Sequence, residues 1–184
     1  MLPTYNIKYM FTPPANGDTM GLFDRFKKTE DKPASNVTEI LAPVDGELVQ
    51  LSETNEPVFG SEMMGKGCAI NPTSSTVISP ISGKVSVVMP HAVGIIADNG
   101  VEVMVHVGID TVEMKGDGFD VKVAQGDSVT CGQELLTFSR EKVAEAGHPD
   151  TTFVIITNTA ECAEVAPVAN CTVKVGDVVV SVTK

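Results

Sequence analysis

The stretch His91-Ala92-Val93-Gly94-Ile95-Ile96-Ala97-Asp98-Asn99-Gly100-Val101-Glu102-Val103-Met104-Val105-His106 decides how this chain is read. Two runs of strand-forming residues flank Asn99-Gly100, the strongest short-range hairpin signal, because both residue types tolerate the positive φ of tight hairpin turns. With Asn99-Gly100 as a two-residue loop, Asp98 pairs with Val101, Val93 opposes His106 and His91 opposes Gly108. His91 and His106 then become diagonal neighbours on one face, roughly 7–8 Å apart at Cα. In that register Val101, Val103, Val105 and Val107 face one way with Ala92, Gly94 and Ile96. Glu102, Met104 and His106 face the other way with His91. A slip of one residue is expected to split the histidines across the sheet, since side chains alternate with period two.

Two adjacent imidazoles admit a bland reading, a half-buried strand whose polar face happens to carry them, and three chemical ones. A metal site would want a third and often a fourth ligand. The nearest carboxylates are Glu102 and Asp110, and no His-x-His or Cys-x-x-Cys accompanies them. A general acid–base pair fits, because histidine titrates near neutrality. A nucleophile fits as well, since a neutral imidazole can attack phosphorus and carry a phosphoryl group covalently.

Working outward, His106-Val107-Gly108-Ile109-Asp110-Thr111-Val112-Glu113-Met114-Lys115-Gly116-Asp117-Gly118-Phe119 closely resembles the active-site signature of a known family. That family is the glucose-type enzyme IIA of the bacterial phosphoenolpyruvate-dependent sugar phosphotransferase system. His91-Ala92-Val93-Gly94-Ile95 resembles its second-histidine motif. Ala42-Pro43-Val44-Asp45-Gly46, Met63-Met64-Gly65-Lys66-Gly67-Cys68-Ala69-Ile70-Asn71-Pro72 and Pro80-Ile81-Ser82-Gly83-Lys84-Val85 follow the same pattern. The resemblance runs from about Ile40 to the C-terminus, and Met20-Gly21-Leu22-Phe23-Asp24-Arg25-Phe26-Lys27-Lys28 is similar to the start of free-standing members.

The resemblance implies that His106 accepts a phosphoryl group from the phosphocarrier HPr and passes it to a cysteine of the sugar-specific enzyme IIB. It implies that His91 steadies the transferring group, and that Glu56 and Asp110 meet a positive residue on the partner. It also implies that no cofactor is required, although His91 and His106 can hold zinc when a partner adds a ligand. Besides HPr and the IIB/IIC permease, it implies regulatory protein targets. One position departs from the pattern: the family often has Thr two residues before the second histidine, where Met89 stands here. A phosphohistidine must also be kept from water, so an apolar collar is expected from Val58, Phe59, Val107 and Val112. Gly108 permits close backbone approach beside His91, with its N–H a candidate phosphate donor.

Composition narrows the class. The 184 residues suit one domain with a single core, and 42% hydrophobic against 5% aromatic residues makes that core aliphatic. The net charge of −11 argues against nucleic acid and against strong binding of the domain body to anionic lipid. There is no apolar run of membrane-spanning length and no apolar signal-peptide core, so a cytoplasmic chain is expected. Cys68, Cys131, Cys162 and Cys171 lie far apart and are expected to be free thiols.

Residues 1–19 read as a disordered extension, with Met20 expected to be a workable start. Residues 20–36 read as a short amphipathic segment and polar linker, with at most weak peripheral membrane contact through Leu22, Phe23 and Phe26. Residues 37–184 form the phosphoryl-carrier domain. There the chain is short β segments divided by Gly, Pro, Asn and Asp. Two phrases recur: Ala42-Pro43-Val44-Asp45-Gly46 with Ser79-Pro80-Ile81-Ser82-Gly83, and Ala124-Gln125-Gly126-Asp127 with Lys174-Val175-Gly176-Asp177. These predict an all-β fold, a compact antiparallel sandwich or barrel with at most short helices. Ser139 to Ala146 is the best helix candidate, ending at Gly147 as C-cap, and His148 follows in a turn.

Other functional classes fit less well. A zinc peptidase of lysostaphin type would want a His-x-His triplet, and the chain has 3 histidines in total. A biotinyl or lipoyl carrier would need its modified lysine at a hairpin tip, whereas Lys115 follows the histidine motif. A purely regulatory binding protein is favoured only by Met89.

Overall fold

A computed structural model describes residues 36–184. The expectations for residues 1–19, and for 20–36 up to residue 35, lie outside the described residues. Short strands alternate with tight turns, as the punctuation of the sequence dictates. At Ala124–Asp127, Thr130–Gln133 and Lys174–Asp177 the N–H of the fourth residue donates to the carbonyl of the first. In each, the fourth side chain also accepts from the first N–H. The third residue of each turn is glycine at positive φ, which is why Gly-Asp and Gly-Gln recur there.

The largest sheet has eight strands, ordered β13 (Cys171–Val173), β2 (Gly46–Gln50), β3 (Lys66–Pro72), β11 (Thr152–Ile156), β7 (Glu102–Val107), β6 (Ala92–Ile96), β5 (Gly83–Met89) and β9 (Ser128–Val129). A three-stranded sheet joins β1 (Val37–Leu41), β14 (Val178–Thr183) and β12 (Glu164–Pro167). Another joins β4 (Thr76–Ile78), β10 (Glu134–Phe138) and β8 (Phe119–Val121). All pairings are antiparallel. The helices are short: α1 (Pro57–Gly60) and α2 (Arg140–Glu145). The predicted all-β architecture is the one observed.

The main core lies on one face of the large sheet. Val93, Ile95, Val103, Val105, Val107 and Val154 pack there against Ile40, Leu135, Val180 and Val182. The opposite face carries a smaller cluster of Leu51, Phe59, Ala69, Phe153 and Ile155, covered by α1 and a 3₁₀ turn at Leu51–Glu53. Both faces of β11 are therefore covered, which accounts for its unbroken apolar run Phe153-Val154-Ile155-Ile156.

Helix α2 forms where its caps place it. The Ser139 hydroxyl accepts from the Lys142 N–H. At the other end Gly147 N–H bonds the Ala144 carbonyl and His148 N–H bonds the Val143 carbonyl, with Gly147 at φ 82°. All four cysteines are free; burial pushes the Cys68 thiol up to about 12.

The hairpin differs from its prediction by one residue. Ile96 pairs with Glu102, and Ala97 N–H donates to the Val101 carbonyl at 2.9 Å. The loop is thus Asp98-Asn99-Gly100, three residues long, with Gly100 at φ 78° as the bulge residue. Ala92, not Val93, opposes His106. Val93 and Ile95 accordingly face the main core with the β7 valines, and Ala92, Gly94 and Ile96 share the other face with His106. The physical reason lies partly outside the hairpin: Asn99 Nδ2 donates to Thr38 Oγ1 of β1 at 2.5 Å.

Candidate active site

His106 is on β7, directly opposite Phe153 of β11 and Ala92 of β6. Its side chain lies on the face covered by α1. The slipped register places His91 opposite Val107 in line, with Val107 N–H donating to the His91 carbonyl at 2.8 Å. Strict alternation would then separate the imidazoles, yet their ring centroids are 4.8 Å apart at 77°. The separation expected from a one-residue slip does not occur because His91 is not a strand residue. Met89 pairs with Ala92, so Pro90-His91 is the two-residue loop joining β5 and β6, where the period-two rule no longer holds. The sequence brought the right residues together through the wrong register.

The rings sit in an aromatic nest. Phe59 lies 5.0 Å from His106 and stacks on Phe153 at 4.5 Å, and Phe119 lies 6.3 Å from His91. His91 is only 5% exposed, whereas His106 is half-buried and opens onto a depression of about 180 Å³. That depression is lined by Glu56, Val58, Phe59, Gly108, Asp110 and Val112, every one of them anticipated, and by Ile109 and Thr111, which were not. Val58 and Val112 are exposed at its rim. Val107 is corrected: it faces the main core and adds nothing to the collar. Met89 is exposed, and no side chain hydrogen bond to either imidazole replaces the absent threonine among the described residues.

The turn after β7 is held from below. Thr111 Oγ1 donates to the Val107 carbonyl at 2.6 Å, and Asp110 takes a left-handed φ of 58°. Gly108 is at φ 82°, and a Cβ there would stand 2.2 Å from Thr111 Cγ2. Its N–H donates to the Thr151 carbonyl at 2.9 Å, so it is not the phosphate donor expected of it. Nor does it lie opposite His91, since the register moved. Glu56 caps α1 by accepting from the Phe59 N–H, which sets the ring over His106.

The electrostatics favour neutral rings. Burial lowers the His91 pKa, and burial followed by the neighbouring His91 lowers that of His106 to about 4. The backbone of Gly108 opposes this, but His106 Nδ1 is buried without a hydrogen bond of normal geometry. Nε2 is left as the open nitrogen. Both histidines are unprotonated at pH 7, the state a nucleophile needs. Between the unfolded value near 6.5 and about 4, the unfolded chain holds more protons than the folded one, so stability falls as pH drops through that window. His106 contributes a slope of up to about 1.4 kcal/mol per pH unit there, and His91 acts in the same direction. Urea unfolding of wild type and His106→Gln between pH 4 and 7 checks this: the variant is expected to lose less stability on acidification. Parallel curves would refute it.

Known proteins share the sequence and the fold. Residues 38–162 match the family described as phosphoenolpyruvate-dependent sugar phosphotransferase system, EIIA 1. The glucose-specific EIIA component of Staphylococcus aureus is 44% identical over 128 residues, 68% of this chain and 77% of that protein. The Staphylococcus epidermidis counterpart is 45% identical over 122 residues, 65% and 74% of the two chains. Among solved structures, glucose permease IIA from Mycoplasma capricolum superposes with a TM-score of 0.71 at 36% identity, over 79% of this chain and 95% of that one. The family match on an antiparallel sandwich defines the class of protein as a phosphotransferase component that works through a histidine. The chain belongs to the EIIA 1 family of the sugar phosphotransferase system. It is a phosphotransferase component that carries phosphoryl groups during sugar uptake, with HPr and the IIB/IIC components as its partners. No helix among the described residues is long and apolar enough to cross a membrane.

Proposed function

We propose that His106 Nε2 is the phosphoryl acceptor and that His91 stabilises the group in transit. The observation that carries this reading is the asymmetry of the pair: His106 opens onto the lined depression while His91 is buried behind it. The Nε2 lone pair attacks the phosphorus of phospho-HPr, the P–N bond to HPr breaks, and the HPr imidazole leaves with its electron pair. The His106 proton stays on Nδ1. Onward transfer reverses the roles, with a IIB cysteine thiolate attacking and His106 leaving as neutral imidazole. Phosphoryl transfer asks mainly for positioning and charge stabilisation. The N–H groups of Asp110, Thr111 and Val112 donate to no backbone carbonyl outside their own 3₁₀ turn and are the donors assigned on this reading. Asp110 and Glu56 supply negative charge at the mouth for a basic patch on the partner. Val58, Phe59, Ile109 and Val112 exclude water.

His91→Ala tests the division of labour. The variant is expected to accept phosphate from phospho-HPr within about threefold of wild type and to donate to IIB at least tenfold more slowly, read by rapid-quench transfer assays. Equal losses in both half-reactions would contradict distinct roles.

The reaction needs no cofactor on this reading. Two imidazoles leave the usual four-coordinate zinc site incomplete, and no group of three metal-ligating side chains exists among the described residues. Zinc is therefore expected to bind the isolated protein weakly and to tighten when a partner contributes a ligand. Calorimetry showing sub-micromolar 1:1 binding to the isolated chain would oppose this. The chain serves as a glucose-type carrier, in line with the names of its relatives; we further propose that it works in the cytoplasm and that regulatory proteins dock on the same acidic, apolar-rimmed face.

A further inference from the structure

The turn that presents His106 is held by a loop that has no regular structure of its own. Gly108 N–H bonds the Thr151 carbonyl at 2.9 Å, and Ile109 N–H bonds the Pro149 carbonyl at 3.0 Å. Contact is close enough that a Cβ on Gly108 would stand 3.1 Å from the Pro149 oxygen. The loop leaves α2 at Gly147 and enters β11 at Thr152. Between these ends two side chains anchor it: Asp150 Oδ2 accepts from Arg140 Nε at 2.6 Å, and Thr151 Oγ1 donates to Asn71 Oδ1 at 2.9 Å. Arg140 is the first residue of α2, and the pair is partly shielded, with 39% and 25% side-chain exposure.

The same helix reaches the other imidazole. Lys142 Nζ pairs with Asp117 Oδ1 at 2.5 Å, and Ser139 N–H donates to the Gly118 carbonyl at 2.8 Å. Gly116, in that turn, lies against the ring of Pro90, where a Cβ would be 3.3 Å away. Pro90 immediately precedes His91 in its two-residue loop. The Lys142 pair is more exposed, so solvent weakens it; the Arg140 pair is the stronger device.

We propose that Arg140 is a positioning residue for phosphoryl transfer: paired with Asp150, it fixes the Pro149 and Thr151 carbonyls and through them the Gly108–Asp110 turn beside His106. The inference rests on His106 being the acceptor. Its role is separable from folding. Helix α2 is already held by Val143 in the core, by the Ser139 cap and by the Gly147 terminus. Loss of one ion pair of this exposure leaves the fold intact. A turn displaced by a fraction of an ångström, by contrast, slows a reaction that depends on alignment.

The test measures kcat and KM for phosphoryl acceptance from phospho-HPr, with melting temperature, in Arg140→Leu, Asp150→Leu, the double variant, Arg140→Lys and the swap Arg140→Asp/Asp150→Arg. Each single leucine variant is expected to lower kcat about tenfold with KM within twofold and melting temperature within a few degrees. The double variant should be no slower than either single one, and the swap and Arg140→Lys should recover part of the loss. Unchanged kcat, losses that multiply in the double variant, or losses confined to KM would overturn the proposal. A leucine variant that unfolds is replaced by Asp150→Asn, which keeps the shape and removes the charge, and is read by the same criteria. His106→Gln runs alongside: if it still takes phosphate, the acceptor assignment has failed, irrespective of the Arg140 series.

Discussion

Replacing His106 by alanine is expected to abolish phosphoryl acceptance from phospho-HPr, leaving less than about one thousandth of the wild-type rate. The expectation follows from access and protonation together. His106 is the imidazole that lines the depression, and its lowered pKa keeps it neutral and nucleophilic at pH 7. His91 cannot substitute, because it is 5% exposed and lies behind the acceptor against Phe119. His148 sits past the end of α2, with its N–H closing the helix terminus, on the loop that supports the turn rather than in the depression. Removing the ring also removes a group that stays unprotonated in the folded state, so the variant should lose less stability than wild type as pH falls from about 6.5 toward 4. Incubation with phosphoenolpyruvate, enzyme I and HPr, followed by mapping of the phosphate, checks the chemistry. Stable phosphate on His91 or His148 in the variant would show that the acceptor has been misassigned.

The second large effect belongs to a residue that performs no chemistry. Phe153→Ala is expected to destabilise the domain by about 3–5 kcal/mol. The side chain is fully buried beneath α1, stacked on Phe59 at 4.5 Å and 6.3 Å from the His106 ring. Its cross-strand neighbours are Ala69 and His106, and Ala69 is too small to fill the space left behind. A domain of ordinary stability survives this loss at 25 °C but with little margin. Phosphoryl transfer should fall with it even where the protein is folded, because Phe59 and His106 both lose the surface that orients them. Phe153→Leu should cost about 1–1.5 kcal/mol, since most of the volume returns. Urea titration of both variants decides the matter, and a cost below about 1 kcal/mol for the alanine variant would mean that α1 collapses onto the sheet.

These two residues differ in how they could be found. His106 stands out in any reading, as an imidazole in a β run followed by Gly, Asp and Thr. Phe153 stands in Thr152-Phe153-Val154-Ile155-Ile156, a run apolar at consecutive positions. Periodicity assigns a residue to a face only when one face is wet, and both faces of β11 are covered. Glu56 is implied only by the resemblance, and Val58 and Phe59 only by the need for an apolar collar; their convergence on His106 depends on α1 crossing the outer face of the sheet.

What the sequence determined by itself is local. Gly-Asp and Gly-Gln turns close because glycine supplies the positive φ and the following side chain caps the turn. The valines of β7 face one core because they alternate, and α2 starts at Ser139 and stops at Gly147 because its ends are capped there. What the tertiary structure decided depends on partners far along the chain. Asn99 binds Thr38 of β1, and the loop takes three residues in place of two. His91 falls in a turn set by the pairing of Met89 with Ala92, and so reaches a face that alternation would deny it. Gly108 surrenders its N–H to Thr151. Every buried N–H must find an acceptor, and which acceptor arrives is fixed only when distant strands meet.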